Sequence, residues 1–173
     1  CSTDNPKEIC DKYPQVIYIK HDKNKGLAAS RNTGIRAAKS TYVFSFDADD
    51  LLRKDAVKEH LKLAEENTIV TCALMAFGAD NYTARPETAT LEILQKRNCI
   101  YSNSLFPKAL WESVDGFDES EIMRLGLEDW EFWTRCAAKG AKFVTNDYVA
   151  LLWRRHANAM STVSANPNWD KII

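Results

Sequence analysis

The chain has 173 residues, a net charge of -1, and 45% hydrophobic against 27% charged residues, which suits one domain with a full core. That balance excludes a basic surface for non-specific nucleic-acid binding, and no apolar run approaches the roughly 18 residues of a transmembrane helix. Five cysteines without a CxxC pair read as reduced, mostly buried thiols, not as a zinc site or a disulfide framework.

The opening CSTDNPKEIC is polar and has no signal-peptide segment. Residues 5–13 read as a helix with Pro6 in its first turn. QVIYIK, residues 15–20, reads as a strand, and 21–25 is a polar loop. Residues 26–38 form a helix, in which Gly34 costs about 1 kcal/mol relative to Ala and so marks close packing or irregularity. VFSF is a short buried strand ending in acidic residues. A helix over 54–66, the strand TIVTCALMAF, a polar loop over 78–87 and a short helix from Thr90 follow.

In the second half CIYSNSLF is strand-like, 107–111 a short helix and 115–123 a loop. Residues 127–139 are helical, with apolar positions at 3.6-residue spacing and Gly140 as the stop. KFVT and YVALLW are strands, and the tail after them has little periodicity. Alternating strands and helices predict an α/β fold with a mostly parallel sheet covered on both faces. Its ligands should bind beyond the carboxyl ends of the strands, where the DADD stretch, residues 47–50, sits.

Three carboxylates in four residues need an explanation. An EF-hand reading fails, since the sixth and twelfth positions counted from Asp47 are Leu52 and Lys58. Two readings stay open: a turn capping the next helix, or a divalent cation held by one or two carboxylates plus nucleotide phosphates. If the strand stays extended through Asp49, Asp47 and Asp49 share a face, and a positive group should sit between them. GLAASRNTG, residues 26–34, could bring helix N–H groups to a phosphate, or simply leave Arg31 solvated or paired. GLEDWEFW puts Glu128, Asp129 and Glu131 in the first turn of a helix, where the dipole favours carboxylates and keeps them ionised, as a general base requires. Its tryptophans read as core or as a face for a sugar ring. His156, one of three histidines, reads as structural or as a ligand. The absence of GxSxG argues against a Ser/His/Asp hydrolase.

Taken together, NKGLAASRNTGIRAAKSTYVFSFDADD, VDGFDES, GLEDWEFWTRCAAKG and WRRHANAMS, in this order, resemble the family 2 glycosyltransferases of the GT-A fold. The resemblance implies a metal-dependent, inverting transfer from a nucleotide-diphosphate sugar, with a UDP-sugar the expected donor, to a hydroxyl of a glycan or lipid-linked acceptor. It implies Asp47 and Asp49 as the DXD motif that binds the diphosphate through Mn2+ or Mg2+, and His156 as a further metal ligand. By the same likeness Asp129 is the base, Glu128 orients the acceptor, Arg31 and Asn32 line the nucleotide site, and Gly116, Phe117 and Asp118 border the sugar. A lid over 157–169 is expected from the aperiodic tail.

Against the family pattern, the chain opens as if just after the second strand, and so reads as an N-terminally truncated piece of one GT-A domain. On this reading 1–50 is the remaining nucleotide half, 51–161 the acceptor and catalytic half, and 162–173 a tail. A cytoplasmic location is expected, with peripheral attachment at the inner membrane face left open. The rivals are an inactive or non-catalytic sugar- or nucleotide-binding remnant, and a nucleotidyltransferase on a similar sheet.

Overall fold

The computed structural model of the chain describes residues 2–156. Helix α1 (Pro6–Cys10) starts with proline in its first turn, where a missing N–H costs nothing. Helix α2 (Leu27–Ala37) buries Ala28, Ala29, Asn32 and Ile35 along one side. It is regular through Gly34, and a methyl group there would meet nothing within 4 Å. The glycine is therefore neither a close-packing contact nor an irregularity.

Six strands form one sheet. β1 (Tyr42–Phe44), β5 (Leu105–Pro107), β3 (Thr68–Gly78), β6 (Lys142–Arg155) and β2 (Leu51–Leu52) lie side by side in that order, and β4 (Tyr82–Ala84) also pairs with β3. The long β3–β6 pair is parallel, from Thr68 opposite Lys142 to Gly78 opposite Arg155. The remaining pairs are antiparallel. The α/β class is as expected, but the sheet is mixed and not mostly parallel. A strand–helix alternation gives parallel neighbours only where the link is long enough to return the chain to its starting end. The link between β3 and β4 is a tight hairpin, and β1 pairs with the distant β5.

β6 is one strand where two were expected. The expected gap between them, Asn146 and Asp147, is no strand end: β6 runs through it with a register shift, Cys72 facing Asn146 while Ala73 faces Val149. Residues 15–20 belong to no strand: Gln15 lies in a turn, the Val16 N–H reaches the Tyr13 carbonyl at 2.9 Å, and Val16, Ile17 and Ile19 are exposed. Their β-branched and aromatic composition suits a strand, yet a strand exists only where a neighbour accepts its ladder, and none among the described residues does.

Helices α3 (Ala56–Leu61), α4 (Leu91–Leu94), α5 (Lys108–Ser113) and α6 (Glu128–Ala138) complete the fold, with a 3-10 turn at Glu121–Leu125. The larger core cluster joins α2, α5 and α6 to the sheet. Phe117 stacks on Phe132 at 4.2 Å between ring centroids, and Phe106 meets Phe132 and Trp133 at 5.4 and 5.6 Å. Trp130 and Trp133 are 4% and 0% exposed, so both tryptophans are core, not a sugar platform. A smaller cluster of Ala56, Cys72, Leu74, Ala76, Ala150 and Leu151 lies under α3 and the β3–β6 pair. Burial pushes the thiols of Cys72 and Cys136 up to about 11 and about 12, which makes them inert, as the sequence led us to expect. Among the described residues no helix is long and apolar enough to cross a membrane.

Candidate functional site

A cleft of about 540 Å3 opens between α6, the acidic turn and the end of β6; Arg31, Asp47, Asp49, Ser102, Glu128 and Asp129 are among its lining residues. A larger, open hollow of about 1090 Å3 adjoins it, carries Lys20, Lys23, Lys25 and Arg124, and shares Glu128 and Ala48 with the cleft. The converging polar groups lie in the smaller space.

The acidic stretch is a turn, because β1 ends at Phe44 and the Asp50 N–H reaches back to the Asp47 carbonyl at 3.3 Å. Its three carboxylates therefore point to different partners. Asp47 accepts from Arg31 Nη2 at 2.8 Å and from the Ser102 hydroxyl at 2.8 Å. Asp49 faces His156, with Oδ2 at 3.1 Å from Nε2. Asp50 is buried, and accepts from the Arg154 N–H at 2.9 Å and from Asn103 Nδ2 at 3.1 Å. Burial pushes its carboxyl above the usual range, and the charge of Asp49 adds to this. Because the stretch turns, Asp47 and Asp49 do not share one positive partner as expected of an extended strand; the cation beside Asp47 is Arg31. Its side chain is 9% exposed and bridges Asp47 and Glu128, the second ion pair through Nη1 and Oε1. Burial opposes its charge, but Glu128, Asp47 and Asp129 outweigh burial and hold its pKa above the ordinary value. Removing one partner from such a buried pair costs about 3–5 kcal/mol.

The opposite wall is set by backbone strain. Gly126 (φ 90°, ψ 176°) and Leu127 (φ 89°, ψ 0°) both have positive φ immediately before α6. The first conformation is essentially glycine-only, and the second costs a leucine about 1–2 kcal/mol. Packing of Leu127 against the larger core cluster holds it there. The sharp entry directs the first-turn carboxylates of α6 to the cleft. Asp129 accepts from the Trp130 N–H at 2.7 Å and from Asn98 Nδ2 at 3.5 Å. Its pKa is pushed up to about 6, mainly by burial and then by Glu128, against the opposing pull of Arg31. The helix dipole was expected to keep the group ionised; burial and the neighbouring carboxylate raise its pKa against that pull, but not above neutrality.

Arg31, Asp47, Asp49, Glu128, Asp129 and His156 thus converge. Asn32 and Gly116 do not join them. Asn32 is 1% exposed, and its amide is fully engaged within the chain. Its oxygen accepts from Trp111 Nε1 and the Phe117 N–H at 2.9 Å each, and its nitrogen donates to the Phe117 carbonyl and Glu119 at 2.8 Å each. Gly116 (φ 76°) lies under this knot, where a methyl group would meet Asn32 Oδ1 at 2.8 Å and Trp111 Nε1 at 2.9 Å. Phe117 is buried in the core, and Asp118 accepts from the Ser120 N–H and hydroxyl. The RN pair therefore divides: Arg31 faces the cleft, and Asn32 ties α2 to the loop over 114–120. Sequence reasoning missed Ser102 and Asn98. A polar SNS inside an otherwise apolar run was the available signal for Ser102.

Among the described residues, no three His, Cys, Asp or Glu side chains cluster to hold a metal. The donor set still fits a cation such as Mn2+ or Mg2+ that takes one or two protein ligands and completes its shell from phosphates. Asp49 and His156 are adjacent, with side chains 53% and 37% exposed, whereas both Asp47 oxygens are engaged by Arg31 and Ser102. Of the three expected metal ligands, Asp49 and His156 face each other, and Asp47 is paired with Arg31 and Ser102 beside them. The expected lid over 157–169 lies outside the described residues.

The sequence profile of glycosyl transferase family 2 matches residues 1–119. The chain belongs to that family. An uncharacterized glycosyltransferase of Methanocaldococcus jannaschii is 27% identical over 147 residues, covering 79% of this chain and 50% of the relative. The putative glycosyltransferase EpsH of Bacillus subtilis is 32% identical over 135 residues, 73% of this chain and 37% of the relative. The fold is GT-A. Staphylococcus aureus TarS (residues 1–349), in complex with UDP-GlcNAc, superposes with a TM-score of 0.72 at 20% identity, over 94% of this chain and 50% of that one. A mannosyltransferase of Pyrobaculum calidifontis, in complex with GDP-Man and Mn2+, gives 0.62 at 19% identity, over 85% of this chain and 42% of that one. This family 2 chain spans half or less of the length of each of these relatives.

Proposed function

We propose that the protein is an inverting, metal-dependent glycosyltransferase that moves a sugar from a nucleotide-diphosphate donor, a UDP-sugar, to a hydroxyl of a glycan or lipid-linked acceptor. The carrying observation is one cleft lined by Arg31, Asp49 and Asp129, the last with a pKa of about 6, with His156 against Asp49. A carboxylate with a pKa just below neutrality is mostly ionised at pH 7 and still basic enough to take a proton. Family membership and the nucleotide sugars bound by TarS and the Pyrobaculum enzyme support the same reading.

On this reading Asp129 removes the proton from the acceptor hydroxyl as its oxygen bonds to C1 of the donor sugar. The bond from C1 to the diphosphate oxygen breaks on the opposite face, so C1 inverts. Glu128, held by Arg31, orients the acceptor. Asp49 and His156 would hold Mn2+ or Mg2+, which when bound neutralises charge on the departing diphosphate. Arg31 neutralises Asp47 beside them. A cytoplasmic site of action, at or near the inner membrane face, goes with this reading.

The test is release of nucleoside diphosphate from a panel of UDP- and GDP-sugars with Mn2+, comparing wild type with Asp129→Asn. General-base catalysis predicts a loss of about 10²–10⁴-fold in kcat. A rate indifferent to that substitution would remove Asp129 as the base. Absence of release from every donor, with binding retained, would favour a non-catalytic binding remnant.

A further inference from the structure

The third carboxylate of the acidic turn has no part in the mechanism above, yet it is the most buried of the three. Asp50 is 6% exposed and Asn103 is 3% exposed. Each Asp50 oxygen already has a donor: Oδ1 takes the Arg154 N–H at 2.9 Å, and Oδ2 takes Asn103 Nδ2 at 3.1 Å. Asn103 in turn accepts the Asp47 N–H through Oδ1 at 3.0 Å. That backbone donor fixes which end of the Asn103 amide is oxygen, so the end facing Asp50 must donate. Arg154 completes the loop by donating Nε to the Asp49 carbonyl at 2.8 Å. The turn is thus gripped from the segment before β5 through Asn103 and from β6 through Arg154. Two residues beyond Arg154, His156 faces Asp49.

We infer that Asp50 and Asn103 are positioning residues: together they lock the acidic turn to the end of β6, and so set the relation of Asp47 to Arg31 and of Asp49 to His156. Asp50 is not a cation ligand, because turning its carboxylate outward would leave either the partly buried Arg154 N–H or the buried Asn103 amide without a partner. The inference rests on the proposed cation role of Asp49 and His156 for its consequence, but not for the lock itself. Groups that hold ligating side chains from behind commonly change metal affinity about 10–100-fold when altered.

The hydrogen-bond pattern offers a reciprocal exchange. Asp50→Asn alone sets two amide groups face to face, and Asn103→Asp alone sets two carboxylates face to face. Made together, Asn at position 50 donates to Asp at position 103 and still accepts the Arg154 N–H, while Asp at position 103 still accepts the Asp47 N–H. Two measurements are made on wild type, both single variants and the double variant. These are hydrogen exchange of the Asp47 amide without metal, and Mn2+ affinity by paramagnetic resonance titration in the presence of UDP. Faster exchange and about 10–100-fold weaker Mn2+ binding in each single variant, both restored in the double variant, would establish the lock. Mn2+ binding that stays weak in the double variant while exchange is restored would make Asp50 a ligand and overturn the inference. Wild-type exchange in the single variants would overturn it as well. If the wild-type protein binds no Mn2+ with UDP, the cation role of Asp49 and His156 falls, and the exchange data alone decide the lock.

Discussion

Asp129 shows how a single residue is driven in opposite directions by its surroundings. The N-terminus of α6 and the Trp130 N–H favour its anion, while burial and Glu128 oppose it, and the outcome is a pKa of about 6 against 3.8 for the free side chain. An acid whose folded pKa is raised holds its proton more tightly in the folded state. Stability therefore falls as pH rises between about 4 and 6, and the penalty is complete above 6. Each tenfold in acidity is 1.36 kcal/mol, so the penalty is at most about 3 kcal/mol, and less where water reaches the group. Asp129→Asn keeps the acceptor for the Trp130 N–H and abolishes the titration. It should raise stability above pH 6, by an amount that shrinks towards zero near pH 4, while removing activity. Denaturant unfolding of both proteins across pH 4–8 checks this. A stability difference independent of pH would show that Asp129 is not held against its charge.

At the scale of elements, legibility followed how local each cause was. Helices α2 and α6 were readable because their apolar spacing and the stop at Gly140 lie in one segment. The strand expected at 15–20 failed because pairing depends on a partner that no local pattern reports. The ND pair between KFVT and YVALLW reads as a break in sequence and is a register shift within one strand in space. In the site, the acidic turn and the ED pair were legible as chemistry. That Arg31 and Asn32, adjacent in one helix, face the cleft and the core respectively was not, since both are polar and only packing separates their directions. Gly34 gives the same lesson in reverse: its presence suggested a tight contact, yet its surroundings are open. Gly34→Ala should therefore stabilise the protein by about 1 kcal/mol through helix propensity and the unfolded state. A thermal melt that moves down with this substitution would mean that α2 packs closely at position 34 after all.

For the whole molecule, the cleft lies between two separately packed walls. Arg31, Glu128 and Asp129 stand on helices anchored in the larger core cluster, while the Asp49–His156 pair stands where β6 leaves the smaller one. A ligand that touches both walls must couple them. A cation with only two protein ligands needs the phosphates to complete its shell, so Mn2+ and UDP should stabilise the fold together far more than the sum of each alone. At a hundred times the dissociation constant the gain is about 2.7 kcal/mol. For a chain of this size that is roughly 5–10 °C in Tm. His156 sits at the surface, 37% exposed in its side chain, so His156→Ala should leave the unliganded melt near wild type while removing most of the joint Mn2+ and UDP shift. UDP alone should shift the variant and the wild type equally, and chelation with EDTA should return the wild type to that smaller shift. Calorimetric scans of both proteins with neither, either and both ligands decide it: strictly additive shifts, or a joint shift that survives His156→Ala, would show that nucleotide and cation do not meet at Asp49 and His156.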